Sequence, residues 1–262
     1  YSFPMESSTD SKNSNELTTL IHRIREWASS QPEKIALRYC DSDGKEIAVL
    51  SYNNLNKITY KISVILRNEY KLAEGDFVML VYPPCIEFIL IFLGCLRAGI
   101  VAVPVYPPNP SGIKKNVQLF SGIQQNCQAK VALCNGSYLH VKKLTDMKSF
   151  FSRSGANWPE MQWINTDSIT ALKDFPEVPE DEPALHFSPT NLCFLQYTSG
   201  STSAPKGVMI TIAALTNNMT TIIRSLRAST NAVVVSWLPQ YHDMGLIGAV
   251  LSLLYCGGSG IY

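Results

Sequence analysis

Residues 77–105, FVMLVYPPCIEFILIFLGCLRAGIVAVPV, decide the fold of this chain. Their pattern predicts a strand at residues 77–82, a helix at residues 86–98 that Gly99 ends as a C-terminal cap, and a second strand at residues 100–105. Nearly continuous apolar strands that flank a helix are typical of parallel sheets covered on both faces. The stretch therefore predicts an α/β fold.

The same stretch is apolar over about the length of a membrane-spanning helix, roughly 20 residues. Charged and helix-breaking residues interrupt it at Glu87, Arg97, Gly99 and Pro104. We therefore expect a buried helix followed by a buried strand, and no transmembrane segment.

The elements upstream follow from apolar spacing and turn residues. A helix is predicted over residues 17–30 and another over residues 52–70, which Ser51 can cap. Two short strands, residues 35–39 and 46–50, form a predicted hairpin between these helices.

Strands and helices continue to alternate downstream. A helix is predicted at residues 117–126, and strands at residues 129–134 and 192–197. This alternation predicts an α/β protein with largely parallel sheets covered by helices.

The chain divides by composition into four parts. Residues 1–15 are polar and rich in serine, and we expect a disordered leader. Residues 16–175 are predicted as a first α/β lobe, and residues 176–190, rich in proline and acidic residues, as a surface linker. Residues 191–262 are predicted as the start of a second lobe that the chain leaves truncated.

Overall composition narrows the function classes. Hydrophobic residues make up 46% and charged residues 16% of the 262 residues, which is typical of a folded protein. A net charge of +1 argues against a broad nucleic-acid surface. The seven cysteines form no CxxC motif and no Cys/His cluster with zinc spacing, so no metal site is predicted. Free thiols favour a cytoplasmic location.

The segment most informative about chemistry is residues 197–208, YTSGSTSAPKGV, directly after a predicted strand. Glycines let backbone N–H groups approach an anion, hydroxyls donate hydrogen bonds, and the lysine adds positive charge. Together they predict a polyphosphate site for a nucleotide. Its candidate residues are Thr198, Ser199, Gly200, Ser201, Thr202, Lys206 and Gly207.

Two other interpretations of this segment can be weighed from the residues. A Walker A loop requires Gly-Lys-Ser/Thr, whereas here Lys206 precedes Gly207 and Val208 follows, which excludes that motif. A serine- and glycine-rich surface loop remains open on composition alone.

A second informative segment is residues 237–248, WLPQYHDMGLIG. His242 can change its charge near neutral pH and so pair with a carboxylate or an acyl phosphate. The alternative is a structural histidine whose side chain only caps the end of a helix.

Both segments resemble the adenylate-forming enzymes, which include acyl-CoA synthetases, luciferases, peptide-synthetase adenylation domains and fatty acyl-AMP ligases. The phosphate loop of that family reads Thr-Ser-Gly-Ser/Thr-Thr-Gly-x-Pro-Lys-Gly, which residues 198–202 and 205–207 match. Residues 241–248, YHDMGLIG, are most similar to the fatty acyl-AMP ligases, and shorter matches occur in order within residues 80–108.

Two positions depart from the family pattern. Ser203 stands where the family has glycine, and residues 211–214 lack the histidine and asparagine that commonly follow the loop.

The resemblance implies that ATP, with Mg²⁺, activates a fatty acid to an acyl-adenylate with release of pyrophosphate. It implies that residues 198–202, Lys206 and Gly207 bind the phosphates, and that Lys206 and His242 are catalytic. The implied substrate-binding residues are Trp237, His242, Asp243, Met244 and Gly245. The acyl group would pass to an acyl carrier protein, such as that of a polyketide or peptide synthase, or to CoA.

The family's adenine, ribose and metal-binding segments follow this region, so the Mg²⁺ ligand is expected beyond the chain. We accordingly expect little or no adenylation activity from the isolated chain. Two alternatives stay open: a non-catalytic adenylate-binding or interaction module of the same fold, and an unrelated nucleotide-binding domain.

Overall fold

The computed structural model describes residues 17–109, 113–151, 158–198 and 205–262. The predicted leader at residues 1–15 lies outside these ranges. The helices are α1 Leu20–Ser30, α2 Tyr52–Asn68, α3 Ile86–Ala98, α4 Ile113–Cys127, α5 Gly136–Phe151, α6 Asp167–Thr170, α7 Ile212–Leu226 and α8 Ser252–Cys256; a π-helical segment, Met244–Leu251, leads directly into α8. The strands are β1 Ile35–Cys40, β2 Glu46–Ser51, β3 Phe77–Leu80, β4 Val101–Pro104, β5 Val131–Cys134, β6 Gln162–Asn165, β7 Leu192–Thr198, β8 Lys206–Thr211, β9 Val233–Val235 and β10 Ser259–Ile261.

The described strands form two sheets. The six-stranded sheet has the order β6-β5-β3-β4-β7-β8, and its neighbouring strands are parallel except for the antiparallel pair β7–β8. The four-stranded sheet has the order β2-β1-β10-β9, in which only β1–β2 is antiparallel. The predicted α/β fold with largely parallel sheets is confirmed.

Each sheet takes strands from both sides of residues 176–190. In the four-stranded sheet Leu37 of β1 pairs with Gly260 of β10, and in the six-stranded sheet Ala102 of β4 pairs with Phe194 of β7. Strand pairing therefore does not follow the predicted division at the linker, because parallel partners need not be close in sequence.

Helix α3 lies at the centre of the core and has the predicted bounds. Every residue of α3 except Glu87 is buried, which explains why its sequence is apolar on all sides. Gly99 ends the helix in the left-handed region, at φ 70°, as predicted. A Cβ at Gly99 would lie 2.8 Å from the ring of Phe187, so both backbone conformation and packing require glycine there.

A buried ion pair holds the segment at residues 176–190 against helix α3. The Arg97 guanidinium donates from Nη2 to Glu182 Oε1 at 2.7 Å and from Nε to Glu182 Oε2 at 2.9 Å. Arg25 of α1 donates to the same Oε1 at 3.0 Å. Asn56 and Thr59 of α2 accept the remaining Arg97 hydrogen bonds. The Glu182 carboxylate is thus paired with charges on α1 and α3, and neutral groups of α2 complete the hydrogen bonds of Arg97.

Several boundaries differ from those predicted. Strand β3 ends at Leu80 rather than residue 82, and α2 ends at Asn68 rather than residue 70. Helix α4 begins at Ile113, four residues earlier than predicted. Within the part of the chain that the structure describes, no helix combines the length and the apolarity needed to cross a bilayer.

Candidate functional site

The predicted phosphate loop joins β7 to β8. These strands pair antiparallel, and Thr198 at the end of β7 is the register partner of Lys206 at the start of β8. Both residues are exposed. The structure thus brings the hydroxyl-bearing and the cationic end of the predicted loop together. The predicted phosphate ligands Ser199, Gly200, Ser201 and Thr202 lie outside the described residues.

The base of this hairpin packs against helix α4. A Cβ at Gly207 would lie 2.9 Å from Cζ of Tyr197, so the close approach of the two strands requires glycine. The Tyr197 hydroxyl donates to Oδ1 of Asn126 in α4. Burial raises the pKa of Tyr197 to about 12, so this hydroxyl stays protonated to a higher pH than an exposed tyrosine would.

Residues 239–242 lie across the carboxyl ends of three parallel strands. The N–H of Cys85, beyond β3, donates to Oε1 of Gln240 at 3.2 Å. Nε2 of Gln196, in β7, donates to the carbonyl oxygen of Tyr241 at 3.3 Å. The Tyr241 ring packs edge-on against Tyr106, which follows β4, with centroids 5.6 Å apart. Carboxyl ends of parallel strands are where open α/β sheets bind ligands.

His242 presents its ring at the surface of this segment. Its side chain is 67% exposed, and Nδ1 lies 2.6 Å from Oδ1 of Asp243. The same carboxylate oxygen accepts from the N–H of Met244 at 2.7 Å, which fixes Asp243 in place. No described residue forms a hydrogen bond with Nε2. Because Asp243 engages Nδ1, Nε2 is the ring nitrogen left for a ligand.

A groove of about 910 Å³ lies between α7 and the π-helical segment. Its walls are mainly apolar, and its polar lining residues include His242 and Asp243. The lining residues are Ile210, Ala214, Leu215, Asn218, Ile222, Leu226, Val234, Val235, Ser236, Leu238, His242, Asp243, Met244, Ile247, Gly248 and Ala249. A long apolar chain with an acidic head group suits such a groove.

Of the predicted substrate-binding residues, His242, Asp243 and Met244 line the groove. Trp237 is not among the lining residues, and its side chain is 89% exposed. Gly245 is buried below the surface, where a Cβ would lie 2.3 Å from the carbonyl oxygen of Pro239. Gly245 therefore serves the packing of this segment rather than direct contact with the groove.

Helix α7 forms one wall of the groove, which the sequence motifs did not indicate. Ala214, Asn218, Ile222 and Leu226 recur every four residues on one face of α7 and all line the groove. This periodicity could have been read from the sequence, but a helix packed on a core has the same pattern.

A second cavity, of about 370 Å³, is lined by Tyr241, which is not among the residues that line the groove. Its lining also includes Pro83 and Pro84 after β3, Tyr106 after β4 and Tyr138 at the start of α5. This cavity therefore lies next to the carboxyl ends of β3 and β4.

Among the described residues, no group of three or more His, Cys, Asp and Glu side chains could hold a metal ion. Thr198 and Lys206, by contrast, suit the phosphate groups of a nucleotide, since one donates a hydrogen bond and the other carries positive charge.

The chain is similar to known proteins over most of its length. The family described as AMP-binding enzyme matches residues 24–262. The medium-chain-fatty-acid–[acyl-carrier-protein] ligase JamA of Moorena producens is 32% identical over 92% of this chain and 39% of its own length. The long-chain-fatty-acid–AMP ligase FadD26 of Mycobacterium tuberculosis is 34% identical over 86% of this chain and 37% of its own length.

A solved structure of a fatty acyl-adenylate ligase is also similar to this chain. The fatty acyl-adenylate ligase from Legionella pneumophila, crystallised with acyl adenylate and pyrophosphate, has a TM-score of 0.73 and 30% identity, covering 93% of this chain and 39% of that chain. The chain thus spans about two-fifths of the length of these relatives. With a family match over nearly its whole length, the chain belongs to the AMP-binding enzymes.

Proposed function

We propose that this chain forms the part of a fatty-acid-activating ligase that binds the triphosphate of ATP and the acyl chain. In the proposed reaction a carboxylate oxygen of the fatty acid attacks the α-phosphorus of ATP. The bond between the α- and β-phosphates breaks, which yields acyl-adenylate and pyrophosphate. The observation that carries the proposal is a mainly apolar groove whose lining includes His242 and Asp243. The segment that holds these two residues is hydrogen-bonded to β7, and β7 is the strand that leads into the predicted phosphate loop.

The β7–β8 hairpin would hold the phosphates. The proposed ligands are Thr198, Ser199, Gly200, Ser201, Thr202, Lys206 and Gly207. Lys206 would offset the negative charge that develops on the departing pyrophosphate, an electrostatic role that needs position rather than proton transfer. Mg²⁺, when bound with ATP, would supply further charge neutralisation on the phosphates.

His242 would place the carboxylate at the start of the groove. Asp243 engages Nδ1 and thereby orients the ring, so Nε2 can donate to a carboxylate oxygen when the ring is protonated. Met244 would contact the acyl chain in the groove, and Gly245 would let the segment pack closely on Pro239. Trp237, with its exposed indole, would contact the substrate outside the groove described here.

The departure at residues 211–214 has a structural role that is compatible with this function. Thr211 is the N-cap of α7, and its hydroxyl accepts from the N–H of Ala214 at 3.1 Å. The changed residues thus begin the helix that forms one wall of the groove.

The acceptor of the acyl group would be the thiol of an acyl carrier protein, such as that of a polyketide or peptide synthase, or CoA. Two similar proteins, JamA and TtuA of Teredinibacter turnerae, are named as ligases for acyl-carrier-protein. The free thiols among the described residues fit a cytoplasmic enzyme. We also keep, as a proposal, a division of the chain into two lobes at residues 176–190, with strand pairs that cross this segment in both sheets.

The experiment is turnover by the complete natural protein in which this sequence occurs. Lys206→Ala and His242→Ala should each lower kcat/KM for fatty-acid-dependent pyrophosphate release, by about a hundredfold for the lysine. Lys45→Ala and His140→Ala change exposed residues outside the groove and provide matched controls. Equal activity of all four variants would contradict the assigned roles. Absence of turnover in the wild type would favour the alternative, a non-catalytic adenylate-binding module.

A further inference from the structure

We infer that Gly248 is a specificity-determining residue, which leaves space for the acyl chain and so sets how far that chain can extend along the groove. The inference rests on the proposed function. It concerns the π-helical segment Met244–Leu251, which forms the wall opposite α7.

The groove lining combines polar and apolar residues. His242 and Asp243 lie just before the π-helical segment, and Ile222 and Leu226 belong to the last turns of α7. Because all four residues line the same groove, a carboxylate bound at His242 would have its alkyl tail in the groove between α7 and the π-helical segment. Gly248 is six residues after His242, at most roughly 9 Å further along the axis at the α-helical rise.

Two glycines of this segment differ in the space around them. At Gly245 a Cβ would overlap the Pro239 carbonyl oxygen at 2.3 Å, which explains that glycine by packing. At Gly248 a Cβ would meet no atom within 4 Å, although the residue lines the groove. A side chain at position 248 would therefore occupy open space in the groove rather than displace a neighbour.

Backbone conformation does not explain why residue 248 is a glycine either. Its φ lies outside the left-handed region, where glycine has its main advantage. Glycine inside a helix is less favourable than alanine, so the residue lowers local stability without a packing benefit. Its remaining consequence is the space that it leaves beside the predicted path of the acyl tail.

The π-helical geometry is a second, independent feature of this wall. The Ser252 hydroxyl donates to the carbonyl oxygen of Ile247 at 2.7 Å and stabilises the transition from the π-helical segment to α8. π-Helical geometry is rare and is frequently found at functional sites. Here the segment places Met244, Ile247 and Gly248 together on the groove.

The test compares Gly248→Leu with Gly248→Ala and with Ser225→Leu in the complete natural protein. Ser225 is an exposed residue of α7 outside the groove lining, so Ser225→Leu adds the same side chain to the neighbouring helix. The quantities measured are kcat/KM for acyl-adenylate formation from octanoic and hexadecanoic acid, and displacement of the fluorescent fatty acid cis-parinaric acid by each acid without ATP. Thermal unfolding is recorded for every variant.

Gly248→Leu should lower the preference for hexadecanoic over octanoic acid at least tenfold in both assays, and Gly248→Ala should lower it less. Ser225→Leu should leave the ratio within twofold of the wild type. An unchanged ratio in Gly248→Leu, or an equal loss for both acids, would overturn the inference. Unfolding of Gly248→Leu would also overturn it, because the space beside Gly248 would then not be open.

The two proposals can fail separately. A wild-type protein that activates fatty acids, together with an unchanged Gly248→Leu ratio, rejects only the role of Gly248. A wild-type protein that neither binds nor activates any fatty acid rejects the proposed function, and this inference with it.

Discussion

The surroundings of α3 and the surroundings of the groove differ in what they bury. Around α3, even the charged side chains of Arg97 and Glu182 are buried and paired with each other. Near the groove, the apolar side chains of Leu226, Val235 and Met244 are each about two-thirds or more exposed. Apolar surface left uncovered in this way is typical of a binding site. The first region maintains the fold, and the second is the region to which we assign a ligand in the proposed function.

The largest expected effect on stability comes from breaking the buried ion pair near α3. Glu182→Ala leaves the Arg97 guanidinium buried without its partner, which should lower the free energy of unfolding by about 3–5 kcal/mol. Urea denaturation measures the change. Glu177→Ala is the control, since the Glu177 side chain is 88% exposed in its pair with Lys57 and should matter by less than about 0.5 kcal/mol. Similar effects of the two substitutions would contradict the structural role of the buried pair.

A smaller effect on stability should distinguish Gly245 from Gly248, the two glycines of the π-helical segment. Gly245→Ala places a methyl group against the Pro239 carbonyl oxygen and should lower the free energy of unfolding by about 1–3 kcal/mol. Gly248→Ala meets open space and should leave it unchanged or raise it by up to about 1 kcal/mol. Chemical denaturation of both variants tests the contrast, which fails if Gly248→Ala is the more destabilised.

The smallest expected effect on stability concerns Trp237. Its side chain is 89% exposed, so Trp237→Ala should change the free energy of unfolding by less than about 0.5 kcal/mol. Its proposed contact with the substrate nevertheless predicts a several-fold lower kcat/KM for fatty acid in the complete natural protein. Trp237→Phe, which keeps an aromatic ring, should recover part of that loss. A large loss of stability together with unchanged kcat/KM would reverse the assignment of Trp237.

Elements with strong local signals were predictable. Helix α3 has the predicted bounds because Pro83, Pro84 and Gly99 mark its two ends. The hairpin of β1 and β2 was predictable for the same reason, because its two strands and the turn between them are adjacent in sequence. The pairing of β1 with β10 was not predictable, since Leu37 and Gly260 are far apart in the chain and no local pattern connects them. The burial of Glu182 was hidden for the same reason, because its partner Arg97 lies 85 residues earlier, in α3.

A short motif indicated part of the candidate site. His242, Asp243 and Met244, which the resemblance to adenylate-forming enzymes implied as substrate-binding residues, line a groove, and their contact with a substrate stays a prediction. Trp237, from the same motif, lies outside the groove lining, since adjacency in sequence does not fix the direction of a side chain. The contribution of α7 was missed because an apolar helix face predicts burial but does not reveal what covers it.

Product analysis by mass spectrometry tests the central claim most directly. The complete natural protein is incubated with ATP, Mg²⁺ and dodecanoic acid, and adenylates and pyrophosphate are quantified. The account predicts dodecanoyl-adenylate and pyrophosphate in equal amounts, with both lost in Lys206→Ala and His242→Ala. Formation of ADP in place of an acyl-adenylate, or full product formation in both variants, would contradict it.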